Sequence, residues 1–217
     1  MIRSKKEELR GTLAALIDLR KDFETRITSI ADPQLREYEG ISLNNKRLIH
    51  LEAAEYLATQ IPDHVSSAEY GVLGNEHRVD SNFTQAAHYY QKAIDASRTV
   101  VTKIFSMRAL ASLYFSPGSC RDFGKGRKYF SEAAEVVKNP DDPYLVYTVG
   151  NTYELWGLYE LWNGFQVEGN QMIERARKYY LDLPDYNIYK KQALELLEKK
   201  VKQIVQPNLI LQPTPLK

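Results

Sequence analysis

Residues 82–97 read NFTQAAHYYQKAIDAS, and the same arrangement is written twice more along the chain. Phe83, Ala86, Tyr89, Tyr90 and Ala93 recur as Phe123, Gly126, Tyr129, Phe130 and Ala133, then as Ile173, Ala176, Tyr179, Tyr180 and Leu183. In each copy a large residue stands three before a small one, and a pair of large residues follows three and four after it. One helical face therefore carries bulk, gap, bulk. A helix so patterned lets a neighbouring helix come close at the gap.

A second periodic stretch precedes each copy: Tyr70, Leu73, Gly74 and His77; Met107, Leu110, Ala111 and Tyr114; Val146, Val149, Gly150 and Tyr153. The punctuation between them is specific. Ser66-Ser67-Ala68-Glu69 has the form of a capping box. Asp80-Ser81-Asn82 halts one helix and is expected to cap the next, and Asp122 and Asp142 stand where caps are needed. Pro143 falls at a first helical position, where its missing amide costs nothing. Ser116-Pro117-Gly118-Ser119 and Asn139-Pro140-Asp141 read as turns.

Helix pairs of this form, with residues 67–100 the best match, resemble the tetratricopeptide repeat. There Tyr70, Leu73, Gly74, His77, Phe83, Ala86, Tyr90 and Ala93 fall at the family's spacing, with His77 where an aromatic is usual. The second copy, 104–140, has three extra residues in its turn. The third, 143–183, departs further: Tyr153 and Ile173 are 20 positions apart where His77 and Phe83 are 6 apart, and Leu183 replaces a small residue. The resemblance covers about half the chain. It implies an all-α fold of right-handed stacked helix-turn-helix pairs, about nine helices in all, forming a TPR-like α-α superhelix with additional N- and C-terminal helices.

Such pairs are apolar on both sides and need covers at the ends of the stack. Residues 1–66 read as the N-terminal cover. It holds a first helix over about 4–30 with Leu9, Leu13, Leu16, Phe23, Ile27 and Ile30 in a seam that Arg20 interrupts, a linker containing Gly40, and a second helix over about 45–61 facing inward through Leu48, Leu51, Ala54, Ala58 and Ile61. Residues 67–183 hold the three pairs. Residues 184–217 give a capping helix over about 187–205, with Tyr189, Ala193, Leu196, Leu197, Val201 and Ile204 inward, and a proline-punctuated, extended tail. The extra residues of the third copy hold Trp156, Tyr159, Leu161, Trp162 and Phe165 and are too apolar for a floppy loop. They predict an elongated helix reaching about Asn163, with Gly164 at its end and its aromatics against the terminal helix or a second subunit.

With 43% hydrophobic residues in 217, the chain can bury a substantial core. Its 29 Lys and Arg against 28 Asp and Glu leave a formal charge of +1, so no overall field draws it to nucleic acid or membrane. No membrane span or signal-peptide core is visible, and the single cysteine fits a reducing compartment. The chain thus reads as soluble and cytoplasmic; a basic start running straight into a helix also fits the cut edge of a longer, anchored protein.

His50, His64, His77 and His88 show no ligand spacing, so neither metal nor other cofactor is expected. Cys120 sits in a Gly/Pro turn without a nearby His to activate it and reads as a bystander. Gly118, Gly124 and Gly126 follow no strand and no Gly-Lys-Ser/Thr occurs, so no phosphate loop is argued. The 15 tyrosines mostly occupy repeat positions, which helix packing accounts for without a base-stacking platform. The reading is therefore a non-enzymatic protein–protein interaction module.

Two surfaces remain. The resemblance implies a concave groove lined by Asn75, Arg78, Arg108, Ser112, Phe115, Tyr147, Asn151 and Glu154, able to hold a peptide or segment of another protein. The lysine-rich clamp by which some relatives hold a C-terminal carboxylate is absent: Gly71, Ala109, Tyr144 and Thr148 stand in its place. The alternative partner is anionic, a nucleic acid or an acidic surface, meeting Lys125, Arg127, Lys128, Arg175, Arg177 and Lys178 on an outer face. Glu132, Glu135 and Glu174 offset that charge, and the first copy has Ala87-His88 instead, so nucleic acid is disfavoured. A homodimer through the first helix or the Trp156/Trp162 region is a further expectation.

Overall fold

A computed structural model describes residues 1–205, and every regular element among them is helical. The predicted tail at 206–217 lies outside the described residues. The helices gather into two units, Met1–Ala96 and the residues from Ser97 onward.

The first unit contains α1 (Ile2–Asp22), α2 (Pro33–Gln60), α3 (Ser67–Val79) and α4 (Phe83–Asp95). The seam read from the first helix holds for three residues: Leu9, Leu13 and Leu16 are buried against Leu51, Ala54, Leu57 and Ala58 of α2 and Tyr70 and Leu73 of α3. Phe23 and the residues up to Ile27 then form a turn of π-helix, and Phe23 stays substantially exposed.

The expected linker around Gly40 is helix. Asp32 accepts hydrogen bonds from the amides of Gln34 and Leu35, with Pro33 at the first helical position, so α2 starts well before residue 45. The bare face of Gly40 is covered by Phe23 and Ile27 at 3.8–4.0 Å from where a Cβ would sit. Leu48 points outward, and Arg47 takes the buried place instead.

Arg47 is buried because Glu76 of α3 is. Glu76 has no solvent exposure and pairs with Arg47 at 3.0 Å and with Arg20 at 3.2 Å, while Arg47 also meets Asp80 and Asn44. The arginine that interrupted the apolar seam thus serves a buried carboxylate. His77, the residue at an aromatic position, stacks on Tyr89 with rings 3° from parallel and bonds Glu55 at 2.7 Å; Tyr89 donates to the same carboxylate.

The capping box at α3 forms in both halves: the Ser66 hydroxyl accepts from the Glu69 amide, and Glu69 accepts from the Ser66 amide at 2.7 Å. Asn82 stands at the N-cap of α4, yet its side chain makes no cap bond. The backbone makes that turn, with Ser81 at φ 59° and the Asn82 amide donating to the His77 carbonyl at 2.8 Å. α4 folds back on α3 at the expected gap, where a Cβ on Gly74 would come within 2.6 Å of the Tyr90 ring.

The second unit contains α5 (Val100–Phe115), α6 (Phe123–Glu135), α7 (Pro143–Trp162), α8 (Gln166–Leu181) and α9 (Ile188–Val205). Asp122 and Asp142 cap α6 and α7 as expected. α5 pairs with α6, α7 with α8, and α9 lies against α7 and α8. α7 is the elongated helix foreseen in the third copy, C-capped at Asn163 and followed by Gly164 at φ +86°. Its aromatics go elsewhere than expected. Trp156 stacks on Phe130 of α6, and Tyr159 meets Phe115 and Phe130, so they close the second pair rather than the terminal helix. Trp162 is 71% exposed. In α9, Ala193 and Leu197 are buried, whereas Tyr189 and Leu196 remain exposed.

Candidate functional site

The residues that come together on one face of the second unit are Arg108, Asn151, Tyr147, Tyr180 and Glu154. Two chain features place them. Thr99 and Thr102 cap each other's backbone at the start of α5, which fixes Arg108 about two and a half turns on, where it faces α7. In α7 the bare backbone of Gly150 lets Tyr180 of α8 in: a Cβ there would lie 2.9 Å from the ring. The neighbouring Asn151 then reaches both helices.

The Asn151 side-chain oxygen accepts from Arg108 Nη2 at 2.7 Å, and the Asn151 side chain also acts on the Tyr180 hydroxyl, opposing the rise in its pKa. The Tyr180 hydroxyl donates to Glu154, whose other oxygen accepts from Lys200 Nζ of α9 at 2.6 Å. Tyr147 lies between the rings of Tyr180 and Tyr189 at 5.7 and 5.6 Å. Burial pushes the Tyr180 phenol well above its ordinary range, with Glu154 adding to the effect, so it stays a donor. Burial pulls the Arg108 guanidinium down, opposed by Tyr180, Glu154, Tyr147 and Tyr144. Arg108 Nε and Nη1 are buried and have no hydrogen-bond partner among the described residues.

Of the eight groove candidates, Arg108 and Asn151 are thus in direct contact, and Ser112 lies one turn along α5 from Arg108, half-buried. Asn75 and Arg78 belong to the first unit; Asn75 accepts from Tyr90 at 2.7 Å, and Arg78 is exposed. Three candidates need correction as open lining. Phe115 is 1% exposed, because the small position of the second copy, Gly126, admits its ring: a Cβ on Gly126 would sit 2.6 Å from it. Glu154 is buried and held by Tyr180 and Lys200. Tyr147 is half-covered by α9 through Tyr189. Reading repeat positions alone missed Tyr180, Lys200 and Tyr189 as neighbours of this face. The Gly-Asn step, written as Gly74-Asn75 and again as Gly150-Asn151, was the available signal.

The basic set is largely engaged within the chain. Arg127 makes two bonds of 2.7 and 2.8 Å to Glu160, a carboxylate without solvent exposure that also takes the Trp156 indole N–H. Lys125 pairs with Asp122, Lys128 with Glu132, and Arg177 with Glu174 and Glu198. Arg175 lies over the Tyr153 ring. Lys178 lines a cleft of about 410 Å³ with Tyr179, Asp182, Asn139 and Pro184.

Cys120 is half-buried and burial pushes its thiol up, which suppresses the thiolate. Among the described residues no group of three His, Cys, Asp or Glu side chains is placed to hold a metal ion. No described helix is long and apolar enough to cross a membrane. No protein-family model, curated protein or solved structure matches the chain.

Proposed function

We propose that this chain is a non-enzymatic interaction module whose helix pairs stack in the manner of tetratricopeptide repeats and hold a segment of another protein. The segment lies on the face of α5 and α7 that carries Arg108, Ser112 and Asn151. One observation carries the reading: two consecutive first helices of a pair are joined across that face by the Arg108–Asn151 bond, while most of the Arg108 donors remain uncommitted. Polar groups fixed on rigid helices, spaced along a helical repeat, suit the backbone and side chains of an extended peptide.

The test is capture from a cell lysate by the intact chain and by two variants. The combination Arg108→Ala with Asn151→Ala is expected to lose the captured protein while circular dichroism shows the helices retained. Neutralising Lys125, Lys128, Arg175 and Lys178, which leaves the ion pairs of Arg127 with Glu160 and of Arg177 with Glu198 in place, is expected to leave capture intact. Loss through the second set alone, with steep salt dependence, would instead identify an anionic partner.

A further inference from the structure

A guanidinium carries five N–H donors, one on Nε and two on each terminal nitrogen. In Arg108 Nη2 serves Asn151, while the donors on Nε and Nη1 are buried and unpartnered. The carboxylate that acts on Arg108, Glu154, does so only through space; its two oxygens are already bonded by Tyr180 and Lys200. Phe105 lies with its ring centre 5.3 Å from the guanidinium carbon and is itself 45% exposed, and Arg108 as a whole is only partly buried. A desolvated cation with bare donors is unfavourable alone and becomes favourable when a matching anion completes it.

We propose that Arg108 is the seat for a carboxylate of the bound segment, with Asn151 holding the guanidinium in place as a positioning residue. This rests on the interaction-module reading and names the chemistry that module selects. A carboxylate is the anion that fits: it is flat, offers two acceptors to the planar fork, and one unit of charge balances one guanidinium. A phosphoryl group at about −2 would leave excess negative charge beside Glu154. The carboxylate comes from an Asp or Glu side chain or from the C-terminus of the segment.

The experiment is selection of displayed random short peptides on the intact chain, in two formats, with the peptide C-terminus free or fused to a carrier. Enrichment of Asp or Glu at one fixed register in both formats identifies a side-chain carboxylate. Enrichment confined to free C-termini identifies the terminal one. An enriched peptide should bind Arg108→Gln roughly 30-fold or more weakly, with partial recovery in Arg108→Lys. Enriched peptides without acidic preference, or equally tight binding to Arg108→Gln, overturn the carboxylate seat while leaving the module standing. No enrichment of any peptide overturns both. The selection on the unmodified chain decides the matter even where a variant at Arg108 fails to fold.

Discussion

In the first pair Gly74-Asn75 on α3 faces Tyr90 on α4, and in the third Gly150-Asn151 on α7 faces Tyr180 on α8. Both glycines sit where a Cβ would run into the tyrosine ring, at 2.6 and 2.9 Å. From there the two diverge. Tyr90 donates to Asn75, a neutral pair, and the charge in the first unit is gathered separately, at Glu76 with Arg20 and Arg47. Tyr180 donates to a carboxylate, and Asn151 reaches Arg108. The same repeat device is closed off in one place and, in the other, built into a charged network with donors to spare. Repetition therefore specifies how helices meet, whereas the residues around the repeated positions decide whether the meeting point can do anything further.

The sharpest way to break the comparison is at the two fully buried carboxylates. Glu76→Ala takes one carboxylate from Arg47, 7% exposed, and the partner from Arg20, and about 3–5 kcal/mol should be lost. Glu160→Ala in the second unit removes the partner of Arg127, which at 36% exposure can turn to water; about 1–3 kcal/mol is expected. Chemical denaturation of the two variants measures both. Equal losses would show that the first-unit network is no more buried in energetic terms than the second.

Next in size is the shared gap. Gly74→Leu and Gly150→Leu should each cost about 1–3 kcal/mol through overpacking. The loss at Gly74 should be the larger, since its Cβ site is nearer the ring. A neutral result at either position, read from thermal unfolding, would mean that the tyrosine swings aside freely and the helix spacing is not set there.

Much of this could be read from the chain beforehand. The helix starts at Ser66, Asp122 and Asp142, the close contact at Gly74 and the long α7 that stops just before Gly164 follow from local rules that depend only on nearby residues. What local rules did not reach were the long-range outcomes. The start of α2 was hidden because Gly40 looks like a linker until Phe23 and Ile27 are seen to cover it. Phe115 looked like surface because its position in the repeat says so; only the substitution of glycine at 126 makes room for its ring. Glu154 looked available because Lys200, 46 positions later, could not be placed against it from spacing. The pairing of Arg108 with Asn151, by contrast, joins two residues already singled out on consecutive first helices.

A smaller difference is expected at the two tyrosines. Tyr90→Phe removes one neutral hydrogen bond, at about 1 kcal/mol, whereas Tyr180→Phe removes a bond to a buried carboxylate, at about 1.5–3 kcal/mol. Because Asn151 also acts on the Tyr180 hydroxyl, the second change should loosen the Arg108 site as well as the fold. Adding Lys200→Met to Tyr180→Phe should show coupling above the sum of the single losses, since both groups hold Glu154.

The smallest effect is a pH dependence confined to the first unit. Burial works to raise the Glu69 carboxyl, but bonds from the Ser66 amide and hydroxyl and from Arg10, with Lys6 nearby, hold it below the ordinary 4.5. A depressed carboxylate contributes stability that is fully present above 4.5 and is lost as the pH falls through its folded value. Acid should therefore weaken the start of α3 by releasing the return half of its capping box. Glu69→Gln keeps an acceptor for the Ser66 amide but no longer titrates, so its stability should be lower than that of the parent near neutral pH and should change less below pH 4.5. Amide hydrogen exchange at residues 66–70, followed as the pH is lowered, resolves this local opening from global unfolding once the intrinsic pH dependence of exchange is divided out. Parallel curves for the parent and Glu69→Gln would show that the capping carboxylate contributes nothing that depends on its charge.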